Sequence, residues 1–148
     1  MDVNVNGVFH CTQLALDSML ENNWGRVVTI ASVASLRGFP YVSGYCASKH
    51  AVLGMTRALA LEVAVRGITV NAVGPGYADT DIVRNAIAGI VSKTGRTDAD
   101  AMQHFTESNP QGRLVEVTEV ASAVSWLCSD GAASVTGQAI AIDGGGTA

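Results

Sequence analysis

Three side chains within one stretch have the types and spacing for shared proton chemistry: the Ser32 hydroxyl, the Tyr45 phenol and the Lys49 ammonium, in S-V-A-S-L-R-G-F-P-Y-V-S-G-Y-C-A-S-K. Tyr45 and Lys49 are four residues apart, so on a helix they lie one above the other on the same face. A cation held there favours phenolate over phenol. That matters because a free tyrosine, with a pKa of about 10, is a poor acid or base at neutral pH. Lowering it by roughly three units needs about 4 kcal/mol of differential stabilisation of the phenolate. A phenol tuned in this way passes a proton to or from an alcohol or carbonyl oxygen. Ser32 lies thirteen residues before Tyr45, with Gly38, Pro40 and Gly44 between them. Such a loop can fold the serine back over the helix start, where its hydroxyl meets the same substrate oxygen. Taken alone, Tyr-x-x-x-Lys is more often a helix surface contact, so the weight falls on the elements around it.

Those elements read as alternating strands and helices. R-V-V-T-I-A after the N-N-W-G-R turn is a short β-branched run, expected as a buried strand with Ser32 just past its carboxyl end, where open α/β sheets place their ligands. A long helix is expected from Ser43 to Arg66, with Ala47, Ala51, Leu53, Gly54, Leu59, Leu61 and Val63 as its apolar and small positions and Gly67 as its C-terminal stop. I-T-V-N-A-V reads as a second buried strand, and Q-A-I-A-I-D-G-G as a third strand with a glycine-rich end. Asn71 is expected to fix neighbouring backbone. Between these strands, Asp79 to Asn109 is amphipathic, with Ile82, Val83, Ile87, Ile90 and Val91 in one helix and Ala101, Met102 and Phe105 in another, separated by Gly95 and Asp98. V-T-E-V-A-S-A-V-S-W-L-C-S reads as a further helix starting near Thr118, with Arg113 and Glu116 in structural roles. The opening V-N-V-N-G-V alternates apolar and polar residues, which by period alone suggests a short strand before a helix through Phe9, Leu14, Leu16 and Leu20.

The segment from Ser32 to Lys49, N-A-V-G-P-G-Y-A-D-T at 71–80 and T-G-Q-A-I-A-I-D-G-G at 136–145 together resemble the short-chain dehydrogenase/reductase family of the simple type, in order and over essentially the whole chain. The resemblance implies an α/β fold, a partial Rossmann-like doubly wound parallel sheet corresponding to the C-terminal half of the family's domain. It implies one partial domain over 1–148, with a substrate lid at about 79–112. It casts Tyr45 as the proton-exchanging residue, Lys49 as its pKa-lowering partner and ribose ligand, Ser32 as the holder of the substrate oxygen, and Asn4 as the residue that completes a proton relay through a water. Asn4 then lies in a locally disturbed helix that joins both opening pieces, whereas sequence alone favours a simple helix cap. The Pro-Gly turn after the second strand would run along the nicotinamide, so Pro75, Gly76, Tyr77, Ala78 and Thr80, with Tyr45 and Lys49, are the expected contacts to NAD or NADP.

Composition narrows the alternatives. At 148 residues with 48% hydrophobic content, the chain suffices for one core. A formal charge of −4, from 9 basic and 13 acidic residues without a basic cluster, speaks against nucleic acid as a partner. No apolar run approaches the roughly 18 residues of a membrane span, and M-D-V-N-V-N-G lacks the pattern of a secretory signal, so the expected location is the cytoplasm. Cys11, Cys46 and Cys128 are odd in number and far apart, which suits neither a disulfide framework nor a zinc or other metal site, and they are expected as reduced, packed thiols. His104 is expected at the surface.

The family's glycine-rich first turn, which receives the dinucleotide pyrophosphate at a helix N-terminus, does not occur before Asn4. Neither does the residue that separates NAD from NADP. With about three strands in place of the family's seven, the strand at 27–31 is expected to lose its inner neighbour and expose an apolar edge and face, partly hidden by homo-oligomer formation through the two long helices. Three functions follow from the resemblance. The first is an NAD(P)-dependent oxidoreductase of secondary alcohols and ketones, such as a 3-oxoacyl thioester reductase or a 3-hydroxybutyrate-type dehydrogenase, weakly active or inactive as this chain alone. The second is a non-catalytic association module for related subunits. The third is an epimerase or dehydratase that uses the same Tyr-x-x-x-Lys pair.

Overall fold

The β-branched runs Gly25–Ile30 (β1) and Ile68–Pro75 (β2), with Ala139–Ile142 (β3), form a three-stranded sheet in the order β1-β2-β3, all parallel, in a computed structural model that describes residues 1–148. Gly25 to Ile30 pair with Ile68 to Val73, and Ala72 to Pro75 with Ala139 to Ile142. Parallel strands need crossover helices, and here they lie on both faces. On one face Val27, Ile68 and Val70 pack with Leu16, Met19 and Leu20 of helix α1 (Val8–Asn22) and with Leu59, Ala60 and Val63 of α2 (Ser43–Val63). On the other, Val28, Val73, Ile140 and Ile142 pack with Val120, Val124 and Leu127 of α5 (Val117–Cys128). The doubly wound parallel architecture expected from the sequence is thus present with three strands. As the middle strand, β2 is buried along nearly its whole length. Asn71 is fully buried and does the work expected of it: Nδ2 donates to the Val135 carbonyl at 2.7 Å and Oδ1 accepts the Gln138 amide at 3.0 Å, which fixes the entry to β3.

β1 has a partner strand on one side only, and Ile30 at its end is 49% exposed, the apolar edge that the loss of an inner neighbour predicts. The long helix also matches expectation: α2 tightens into a short 3-10 turn at Ala64–Arg66 and stops at Gly67, whose left-handed backbone (φ 67°) ends it. Two further helices, α3 (Asp81–Thr94) and α4 (Asp98–Thr106), form a hairpin around Val83, Ile87, Ala101 and Phe105, with Gly95 in a left-handed turn between them. Thr97 and Asp100 cap α4 reciprocally. Ile82 and Met102, expected in this apolar stripe, face solvent.

The opening segment follows the resemblance and not its period: Asp2–Gly7 is a π-helical segment that runs directly into α1, the locally disturbed helix expected around Asn4, and none of its residues is buried, so its alternation marks no core face. Two expectations need correction. α5 starts one residue before Thr118, with Glu116 as its cap: the Glu116 side chain accepts the Glu119 amide while Glu119 accepts the Glu116 amide. The cysteines are all free, but only Cys46 is packed; Cys11 and Cys128 are exposed. His104 is exposed as expected, its ring edge-on to Phe105. No helix is long and apolar enough to cross a membrane.

Candidate active site

The carboxyl ends of β1 and β2 deliver two chain segments side by side. β1 runs through Ala31 into Ser32, whose extended backbone (φ −174°) precedes a short 3-10 turn at Val33–Ser35. A Cβ added at Gly74 would stand 3.2 Å from the Ser32 carbonyl oxygen, so a glycine there lets the strand end pass beneath the serine. Ser32 Oγ accepts the Ala34 amide at 3.1 Å, which caps the turn and orients the hydroxyl so that its proton is available to a ligand oxygen.

The 3-10 turn packs against α2, which carries the other two groups. Tyr45 sits in the first turn of α2, 45% exposed, with its phenol open to an approaching ligand. Lys49, one turn on, places Nζ 5.7 Å from the centre of the Tyr45 ring. Its ammonium donates to the Ile30 carbonyl at 3.0 Å, a bond that ties α2 to the end of β1 and leaves two protons for other acceptors. Partial burial pushes the Lys49 ammonium below its usual 10.5, because desolvation penalises the charged form. Asn4 lies within the π-helical segment and not at a cap, which removes the simple capping reading. Its Nδ2 donates to Ser48 Oγ at 3.2 Å, and the Ser48 hydroxyl donates to the Tyr45 carbonyl at 2.7 Å. Ser32, Tyr45, Lys49 and Asn4 are therefore carried by β1, α2 and the opening segment toward one end of the sheet. Asn4 joins the group through Ser48 and not through Lys49.

Ser48 is the residue that sequence reasoning missed. It is buried on the inner face of α2 and ties the opening segment to the helix that carries Tyr45. Its signal was its place between Tyr45 and Lys49, a polar residue on the apolar side of the helix.

The expected cofactor residues follow β2. Pro75 and Gly76 are partly buried, and the Gly76 amide donates to the Ile142 carbonyl at 3.0 Å. The chain then runs past Val115, whose amide donates to the Tyr77 carbonyl and whose carbonyl accepts the Asp79 amide, each at 2.9 Å, so that Ala78 pairs with Val115. The Tyr77 ring meets Phe105 of α4 edge-to-face at 5.0 Å, which commits it to the helical hairpin. Thr80 flanks the start of α3 with its hydroxyl 3.4 Å from the Ala78 carbonyl and provides no cap to the helix. The two Lys49 protons left open, one helical turn from the exposed Tyr45 phenol, suit the polar ribose and carboxamide end of a nicotinamide nucleotide. The same chain offers no glycine-rich strand-to-helix turn for the pyrophosphate.

Comparison with known proteins finds similarity along almost the whole chain. The family model described as enoyl-(acyl carrier protein) reductase matches residues 1–147. The chain is 37% identical over 147 residues to D-beta-hydroxybutyrate dehydrogenase of Rhizobium meliloti, covering 99% of this chain and 57% of that protein. It is 36% identical over 145 residues to 3-oxoacyl-(acyl-carrier-protein) reductase of Rickettsia felis, covering 98% and 56%. Among solved structures, an actinorhodin polyketide ketoreductase with NADPH superposes with a TM-score of 0.90 at 40% identity, covering 98% of this chain and 57% of that one. The chain thus spans little more than half the length of the relatives it matches.

Proposed function

The chain belongs to the short-chain dehydrogenase/reductase family, and on that premise we propose that it carries the proton-transfer half of an NAD(P)-dependent oxidoreductase acting on a secondary alcohol or the corresponding ketone. The observation that carries the reading is the stacking of Lys49 beneath an exposed Tyr45 at the carboxyl end of a parallel sheet, with Ser32 on the adjoining strand end. When bound, the nicotinamide supplies or takes up the hydride. Tyr45 exchanges the proton with the substrate oxygen, and Ser32 Oγ donates to that same oxygen and holds it in place. Lys49, braced on the Ile30 carbonyl, keeps a positive charge beside the phenol and directs its remaining protons to the ribose. Asn4 and Ser48 hold the opening segment against α2, so that a water between Asn4 and Lys49 would complete the relay to solvent.

Pro75, Gly76, Tyr77, Ala78 and Thr80 form the wall on the nicotinamide side, and α3 with α4, over 79–112, forms the lid that selects the substrate. A 3-oxoacyl thioester or a 3-hydroxybutyrate-type acid is the substrate class that the relatives' names favour. NAD and NADP both remain compatible with these residues. Three unpaired thiols fit a reducing compartment such as the cytoplasm.

A chimera in which these residues replace the matching 57% of the Rhizobium meliloti dehydrogenase tests the reading. A substrate-dependent change in nicotinamide absorbance is the expected result. Conversion of a substrate without net change in that absorbance would assign the site to epimerase or dehydratase chemistry instead.

A second reading, that the chain serves as an association module, draws on a different observation. An apolar groove between α1 and α2, lined by Phe9, Leu16, Met55 and Leu59, lies open to solvent. On either reading this groove is the surface for a second copy or a related subunit, and co-elution of the chain with a full-length relative in the absence of any turnover would favour the module.

A further inference from the structure

Where β3 ends, beside the end of β2, a set of contacts serves no step of the proposed chemistry. Asp143 is buried and forms no ion pair. Its Oδ1 accepts the Gly145 amide at 3.0 Å and its Oδ2 accepts the Thr147 hydroxyl at 2.7 Å. These bonds fold Gly144–Gly146 into a turn in which Gly144 and Gly145 have left-handed backbones, φ 64° and 94°. The three glycines face three consecutive residues at the root of the helical hairpin. A Cβ at Gly144 would strike the Asn109 side chain, one at Gly146 would lie 2.5 Å from the Ser108 carbonyl oxygen, and Gly145 sits against Pro110.

Asn109 is buried too. Its Nδ2 donates to the Arg113 carbonyl at 2.8 Å and its Oδ1 accepts the Gln111 amide at 2.9 Å, so it sets the turn by which the chain leaves α4. On its other side Asp143 abuts the end of β2, where a Cβ at Gly76 would lie 3.2 Å from Asp143 Cβ. Two buried polar side chains with their bonds satisfied have one good arrangement, and losing a partner costs more than the bond contributes.

We propose that Asn109 and Asp143 are positioning residues which, through the Gly144–Gly146 turn, hold the root of the lid and the Pro75–Thr80 turn in one register, so that the C-terminal segment sets where the lid stands over the candidate active site. The proposal rests on reading 79–112 as the lid. Its test does not depend on turnover.

Amide hydrogen exchange on the 148-residue chain reads the coupling directly. Asp143→Ala and Asn109→Ala each raise exchange at Gly76–Thr80 and at residues 107–115 by about tenfold, while β1 and β2 stay within about twofold of the parent. Asp143→Asn, which keeps an acceptor for Gly145 and a polar group for Thr147, leaves both segments within about threefold of the parent. Faster exchange confined to residues 143–148 overturns the proposal, because the tail would then act alone. An equal rise across β1 and β2 overturns it as well, because the residues would then serve only general stability. Should Asp143→Ala fail to fold, Thr147→Val removes one of its partners at the chain end and carries the same expectation with a smaller rise. The exchange result and the chimera assay stand independently, so failure of one does not decide the other.

Discussion

Tyr45, Lys49 and Ser32 are legible in the sequence as candidates because the chemistry proposed for them depends on residue type and spacing, and both are written in the chain. Ser48 was harder to see, since its role comes from which face of α2 meets the opening segment, and that is a property of packing. Tyr41 was invisible for another reason. It stands in a left-handed backbone (φ 65°) with its side chain fully exposed, just before the helix that carries Tyr45, and a tyrosine gives no hint of that conformation where glycine or asparagine would. A bulky residue held there stores strain of about 1 kcal/mol or more, and the exposed ring has no packing to offset it. Tyr41→Gly is therefore expected to raise the unfolding free energy by about 1 kcal/mol, read as a higher urea midpoint at unchanged slope. A lower midpoint would mean that the ring makes contacts that stabilise the loop.

At the scale of elements, the strands and most of the helices were legible because each has a period or a stop signal: β-branched runs for β1 and β2, Gly67 after α2, Gly95 between α3 and α4. The opening segment defeated that logic, since alternation identifies a strand only where one face is buried, and here neither is. The start of α5 was misplaced because glutamate is an unusual cap, made workable by its reciprocal bonds with Glu119. Glu119 is also clamped by Arg113, Oε1 to Nη2 at 2.7 Å and Oε2 to Nη1 at 2.8 Å. The Arg113 guanidinium and then the Glu116 amide hold its carboxyl down at about 2, from the usual 4.5.

A carboxyl depressed on folding contributes stability above its unfolded pKa and loses that contribution as pH falls through the folded one. The stability that Glu119 adds is thus present above about pH 4.5 and fades toward about pH 2. Because the pair lies at the surface, the effect is modest and weakens in salt. In Glu119→Gln, the fall in stability between those pH values should be shallower than in the parent. Parallel acid limbs for the two proteins would show that the pair does not couple to folding.

For the molecule as a whole, a three-stranded parallel sheet with helices on both faces leaves two apolar surfaces in water: the free side of β1 and the groove between α1 and α2. The resemblance gave the half-domain and its open edge, but sequence periodicity could not say which helix faces stay uncovered, because burial depends on what packs there. Phe9 and Leu14, placed in the helical stripe of α1, are 48% and 79% exposed in the single chain. If the chain self-associates through the α1–α2 groove, as proposed above, a charge placed in it should oppose assembly. Phe9→Glu is expected to shift sedimentation from dimer to monomer at micromolar concentration without lowering the urea midpoint, since Phe9 lies outside the buried core. Unchanged assembly in that variant would place the interface elsewhere, with the free edge of β1 as the next surface.

The central claim is that Tyr45 moves the proton that accompanies hydride transfer. Its most direct test is Tyr45→Phe within the chimera built on the Rhizobium meliloti dehydrogenase, followed by nicotinamide absorbance under saturating cofactor. The predicted result is a loss of turnover by a factor of about 10² to 10⁴ with nucleotide binding retained, as expected when a positioned acid or base is removed and nothing else changes. Turnover that survives the substitution undiminished, or a folded, nucleotide-binding parent chimera that transfers no hydride, would contradict it.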